Sequence, residues 1–291
     1  MFSKVRVISE LQALLNESED GRAKSVNAGL ENYFRKLGAA LSHTHSWAFT
    51  PTERLHVLLR EKAHAEDVAG LNKAYWQDLS QSIDASRHFF LKRSYPLVES
   101  SVFLLNSGNL LSAGSVVRSL FELAIWSLQH SGTFKNTVKD ELPRADAATH
   151  VMGATGLQDI VTKLIWGTRL KERTTRNREL SQMHIIDQFK KIAKREDRNY
   201  IEPMYDFLCE LCHPNAVGNW LFADSNDVVN EKSEIEILIS ASQNGAEAEQ
   251  TIAHLCGCLC WSVTALVDAN EQYDKALGLI EKKFDLRSLI H

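Results

Sequence analysis

The sequence predicts a mostly all-α protein, and three observations carry that prediction. Its 291 residues include only 5 Pro and 14 Gly, about half the ~12% share of average usage. Sandwiches and barrels, which turn every ~8–12 residues, need more. Hydrophobic residues make up 44% and charged residues 24%, the balance of a core-forming chain, which excludes collagen-like and disordered classes. The few prolines stand where helices would begin or stop.

Taken in order, the apolar spacing and these breakers predict helices at roughly 3–18, 24–46, 52–65, 67–94, 96–107, 109–131, 155–167, 181–195, 200–213, 246–272 and 274–286. Thr50-Pro51-Thr52-Glu53 opens one helix, and Tyr95-Pro96 interrupts the long stretch that starts near Asp67. Leu142-Pro143 falls in a connection, Pro203 in the first turn of a helix, and Pro214 closes that helix. Asn199 and Glu202 have capping-box spacing, which supports a start near 199–203. One segment has a different period. Glu234 to Ile239 alternates polar and apolar like a half-buried strand, and Gly218–Asp224 is its expected partner, so a small β-hairpin insertion is predicted near 218–240. Residues 132–180, with Gly at 132, 153, 156 and 167, form the weakest core. The expected domains are a helical extension at 1–66 and a helical bundle at 67–291.

Charge and targeting signals narrow the partners. The formal charge of −4 is mild and gives no global pull toward nucleic acid or acidic lipid. Residues 160–200, however, hold eleven Lys/Arg against five Asp/Glu, a local +6 that leaves −10 elsewhere. Within it, Arg169, Lys171, Arg173, Arg176, Arg178, Lys190, Lys191, Lys194 and Arg195 are the candidate phosphate contacts, the competing reading being solvated helix faces. Binding through them would depend strongly on salt. The opening MFSKVRVISELQALLNESED lacks a secretory apolar run. Thr251–Val267 is shorter than the ~20 residues of a membrane span and contains His254. Five cysteines without an export signal are expected as thiols in a reducing compartment. The expectation is a cytoplasmic chain with no membrane partner.

The segment Asn109–His130 is apolar nearly all round, yet Ser115, Arg118, Glu122 and Gln129 fall within about 60° of one another at helical periodicity. Arg118 and Glu122, four residues apart, can pair. Two readings stay open: a structural ion pair that fixes helix register, because an unpaired buried charge is costly, or a polar pocket. Tyr205, Cys209, Cys212 and His213 project from one side of a second helix within an arc of about 100°. A histidine at a helix end is commonly a cap, favoured there by the helix dipole.

The signature Gly-Asn-x-x-Ser-Ala with Arg118-Ser119-Leu120-Phe121-Glu122, followed by Tyr205-x-x-Leu208-Cys209-x-x-x-His213-Pro214-Asn215, resembles uncharacterised bacterial all-helical proteins related to the HEPN-like superfamily. The resemblance covers about 80–270, the weakly defined 132–180 region excepted. It implies a four-helix core near 80–106, 109–131, 200–213 and 246–272 that gathers Arg118, Glu122, Tyr205 and His213. It also implies RNA or nucleotide phosphate as partner, a dimer, and a role in bacterial stress or phage defence. HEPN nucleases cut RNA without metal through an Arg-x(4–6)-His motif on one helix. Here His213 has no such Arg upstream, and Arg178-x5-His184 is a chance-level match. A nuclease would need Arg118 to stand in from the neighbouring helix and stabilise the phosphorane, with His213 as general acid/base and Tyr205 orienting the group. The alternative is a non-catalytic interaction or accessory protein that binds a protein partner and uses Arg118, Glu122 and His213 as a structural network.

No cofactor or metal is expected. The usual nucleotide loops, GxSxG and HExxH are missing. Cys209-x-x-Cys212-His213 spells the haem-attachment string, but a helix ending at Pro214 explains the spacing. Cys209, Cys212, Cys256 and Cys260 can be drawn as a four-sulfur zinc site between two helices, against the commoner use of free cysteines as small core residues.

Overall fold

The computed structural model describes residues 5–19, 21–47, 52–146, 155–166, 185–193, 200–229, 235–239 and 246–285. The chain is mostly helical. The helices are α1 (Ser9–Glu17), α2 (Val26–Ser42), α3 (Thr52–His64), α4 (Val68–Asn106), α5 (Leu110–Glu141), α6 (Thr155–Trp166), α7 (Ile185–Ala193), α8 (Ile201–Cys212), α9 (Ala216–Trp220) and α10 (Ala246–Phe284), with 3₁₀ turns at Ala23–Ser25 and Leu142–Asp146. Between α9 and α10, the extended segments β1 (Ala223–Val229) and β2 (Ile235–Ile239) pair antiparallel, Ala223 opposite Ile239 and Val229 opposite Ile235, with a register shift between Asp224 and Val228.

Three expected breaks are absent. Pro96 lies inside α4 and does not interrupt it. An interior proline loses one backbone bond and costs about 3 kcal/mol, but Val98, Val102 and Leu105 just beyond it are buried at 0%, 3% and 0% exposure. Each such burial returns ~1.5–3 kcal/mol, so continuity wins. The helix expected to stop near 131 runs on to Glu141 because Phe134 and Val138, four apart, are both in the core. Likewise α10 passes 273 unbroken, with Tyr273, Ala276 and Ile280 buried. The turn between α4 and α5 does need its glycine. Gly108 sits at φ 72°, and Asn109 N–H reaches back to the Leu104 carbonyl at 3.0 Å, the left-handed exit that only glycine makes without strain.

The chain divides into two compact units: residues 1–41, 92–125 and 189–267, and residues 42–91, 126–188 and 268–291. In the first, α2 buries Val26, Leu30, Tyr33 and Leu37, a helical i, i+4, i+7, i+11 stripe. Gly29 lets α2 approach α10: a β-carbon there would stand 3.2 Å from Cys260 Sγ. Tyr33 and Ser94 hydroxyls are hydrogen-bonded inside this core, where burial pushes the Tyr33 phenol well above its ordinary pKa. The segment before α1 is irregular, with a bend at Arg6, Ile8 extended (φ −64°, ψ 162°) and Val5 and Val7 buried. Two carboxamides hold its main chain. Val7 N–H donates to Asn27 Oδ1 (2.9 Å) and Asn27 Nδ2 donates to the Val7 carbonyl (3.2 Å). Ile8 N–H donates to Asn106 Oδ1 (3.1 Å) and Asn106 Nδ2 to the Arg6 carbonyl (3.0 Å).

The second unit packs Trp76, Leu79, Ile83, Phe134, Val138 and Leu142 with Leu157, Val161, Tyr273 and Ile280. At its edge Asp84 accepts a hydrogen bond from Trp47 Nε1 (3.1 Å), while Arg87 bridges Asp84 (3.6 Å) and Asp274 (2.6 Å). By length and composition alone α5 and α10 would be long and apolar enough to cross a membrane, and more than half of the most apolar stretch of each is buried inside the protein. Core helices of soluble proteins pass the same test.

Candidate functional site

Helix α5 presents Ala113, Val117, Leu120, Phe121 and Ala124 to the core at 0% exposure. The opposite stripe carries Ser115, Arg118 and Glu122. Helix α8 buries Ile201, Met204, Leu208 and Leu211, which leaves Tyr205 and Cys209 half-buried on its flank. The two helices meet where Gly114 faces Leu211: a β-carbon at 114 would stand 3.0 Å from Leu211 Cγ and closer still to Cδ2. This contact lies one turn before Arg118 and two residues before His213, and it brings their side chains together.

Arg118 Nε donates to Glu122 Oε1 at 3.2 Å, and Arg118 Nη1 lies 3.5 Å from His213 Nε2. Tyr205 Oη donates to the same Glu122 oxygen at 3.3 Å. The Arg118 guanidinium carbon is 5.7 Å from the centre of the Tyr205 ring. All four residues named from the sequence therefore stand in one cluster. His213 is not the last helical residue; it caps α8 with an extended backbone, its N–H still reaching the Cys209 carbonyl at 3.0 Å. Asn215 continues the turn, its Nδ2 donating to Glu210 Oε1 at 3.0 Å.

The electrostatics assign fixed states to three of these groups. Burial raises the Tyr205 phenol pKa, and the Glu122 carboxylate raises it further. Burial also raises the Cys209 thiol, with the Arg118 charge opposing. Burial works against the Arg118 cation, but its bond to Tyr205 and the charge of Glu122 help to outweigh that and raise its pKa. At neutral pH the cluster holds a guanidinium, a phenol and a thiol. Since a guanidinium only donates, the Arg118–His213 approach suits a neutral imidazole with its lone pair on Nε2. The side chains of Arg118 and Glu122 are 26% and 31% exposed and His213 is exposed, so the cluster is open to solvent on the histidine side.

An aromatic layer supports the tyrosine. Its ring stacks on Phe189 of α7 (5.5 Å, 29°) and on Phe121 (6.4 Å, 22°), and Phe121 in turn meets Trp261 at 4.5 Å. The sequence reading did not select Phe189, although Ile185, Gln188, Phe189 and Ile192 at i, i+3, i+4 and i+7 mark the buried stripe of α7.

Lys190 and Lys191 are exposed on α7. The other basic candidates, Arg169, Lys171, Arg173, Arg176, Arg178, Lys194 and Arg195, lie outside the described residues, as does Asn199 of the expected capping box. Of the cysteines, Cys256 and Cys258 are buried and Cys209, Cys212 and Cys260 half-buried, all as thiols. Among the described residues no three His, Cys, Asp or Glu side chains gather as metal ligands.

The chain matches no protein-family model, no curated protein and no solved structure.

Proposed function

We propose that the Arg118–Glu122–Tyr205–His213 cluster handles the phosphate of RNA or of a nucleotide, as a metal-independent endoribonuclease site in a cytoplasmic protein of bacterial stress or phage defence. In this reading the helices around the cluster form a HEPN-like four-helix core, dimeric, with residues 218–240 as a hairpin insertion. The observation that carries it is the approach of Arg118 Nη1 to His213 Nε2 at 3.5 Å on the solvent-open side of the cluster. A neutral His213 takes the proton of an attacking 2′-hydroxyl and returns one to the leaving oxygen. Arg118 meets the charge that develops on the phosphorane, and Tyr205 orients both through Glu122. Lys190 and Lys191, on the helix that stacks on Tyr205, extend the positive surface.

The test is cleavage of single-stranded RNA by the wild type, Arg118→Ala and His213→Ala, with thermal melts alongside. The reading expects cleavage in the presence of chelator, lost by ~10²–10⁴-fold in each variant while the melting temperature holds. A wild type that neither binds nor cleaves RNA refutes it. A second reading is favoured by one oxygen: Glu122 Oε1 accepts from both Arg118 and Tyr205. That closed link suits a structural network in a non-catalytic interaction protein. It predicts that Glu122→Ala and His213→Ala both lower the melting temperature, and that the wild type cleaves no RNA.

A further inference from the structure

Among the described residues the carboxamides of Asn27 and Asn106 make five hydrogen bonds, four of them to the main chain of residues 6–8 and the fifth to Gln12. A carboxamide is the neutral side chain that offers a donor and an acceptor at the spacing of a peptide group. Asn27 therefore meets Val7 as a neighbouring strand would, and Asn106 spans the Arg6 carbonyl and the Ile8 N–H. Side-chain reading is confined to alternate positions: Val5 and Val7 are 9% and 2% exposed, while Ile8 is 39% exposed. Main-chain bonds for affinity and alternate pockets for selectivity are how sheet edges capture extended peptides. Here two helices do it, α2 near its start and α4 at its last residue.

We propose that the cleft between Asn27 of α2 and Asn106 of α4 is a peptide site, and that it takes residues 5–8 of a second copy of this chain in place of its own. The second copy is the occupant whose fit is on the page, since its segment makes the same four bonds and fills the same two pockets. The exchanged and closed forms then differ only in the hinge and in association, the low-cost condition for segment exchange. The hinge follows α1. Ser18 is already extended (φ −69°, ψ 151°) and Gly21 has open space around it. Helix α1 travels with the segment, carrying Gln12, which accepts from Asn27 Nδ2 at 3.0 Å. This site is separate from the Arg118 cluster and does not depend on its reading.

Two full-length variants each keep one half of the exchange. Val7→Asp spoils the segment and leaves the cleft. Asn27→Ala with Asn106→Ala spoils the cleft and leaves the segment. Sedimentation velocity on each alone is expected to show monomers, and on their mixture a one-to-one dimer that a synthetic peptide of residues 4–9 dissociates. A mixture that stays monomeric while both variants melt cooperatively overturns the proposal. If the peptide binds Val7→Asp but the mixture yields no dimer, exchange between copies is likewise overturned. Should a variant fail to fold, hydrogen exchange of the wild type decides. The Val7 and Ile8 amides are expected to exchange by local opening, faster than the amides of the buried part of α4. Exchange of these two amides only with global unfolding overturns the proposal.

Discussion

Gly114 makes a prediction whose sign depends on one neighbour. Gly114→Ala inside α5 gains about 1 kcal/mol of helix propensity. The new β-carbon, however, lands 3.0 Å from Leu211 Cγ and nearer to Cδ2, and Leu211 is fully buried, so it has little room to yield. Overpacking of this kind costs about 1–3 kcal/mol, so the substitution is neutral to destabilising by ~2 kcal/mol in the wild type. Leu211→Ala alone opens a cavity at a cost of ~2–5 kcal/mol. In that background the methyl at 114 has space, and Gly114→Ala returns about 1 kcal/mol. The expected coupling is therefore about 1–3 kcal/mol, favourable to the double variant. Urea denaturation of the four proteins, with m-values compared to exclude changes in the unfolded state, measures it. If Gly114→Ala has the same effect in both backgrounds, the close approach of α5 and α8 is not what holds the Arg118 cluster together.

Pro96→Ala restores a missing backbone donor within α4 at an exposed position, and is expected to stabilise the chain by up to ~3 kcal/mol in the same assay. Asp84 carries a pH prediction. Burial would raise its pKa, but hydrogen bonds from His88 and Trp47 and the charges of His88 and Arg87 outweigh it and hold it below the usual value. A depressed folded-state pKa means stability that is complete above the unfolded value of about 3.9 and lost as pH falls through the folded one. Asp84→Asn is therefore expected to melt lower than the wild type at pH 7, the two curves converging below about pH 4; a constant gap into acid would contradict this origin.

The helical class was legible because it depends on composition and on apolar spacing, both local properties. Stripes such as Val26, Leu30, Tyr33 and Leu37 are visible in sequence and buried in the fold. Local signals failed where tertiary packing outweighed them. Pro96 reads as a stop, and only the burial of Val98, Val102 and Leu105 shows why the helix passes it. Arg118 and Glu122 could be picked out as polar residues on an apolar helix, and Tyr205 and His213 as one side of another. The Gly114–Leu211 contact that brings them together spans almost a hundred residues and leaves no periodic trace. The Asn27 and Asn106 clamp is hidden for the same reason, since two asparagines at helix ends are ordinary in sequence and acquire meaning only from the segment between them.

The division of the chain into interleaved pieces has a consequence for how it is made. The first unit needs residues 1–41, 92–125 and 189–267 together, and the second needs 42–91, 126–188 and 268–291. A ribosome therefore delivers the buried face of α2 long before its partner in α10 exists. Until then that apolar face stays exposed. Neither unit can close behind the moving ribosome as a finished domain would. Synthesis of α10 is the common gate, so early release would free a chain with both cores open.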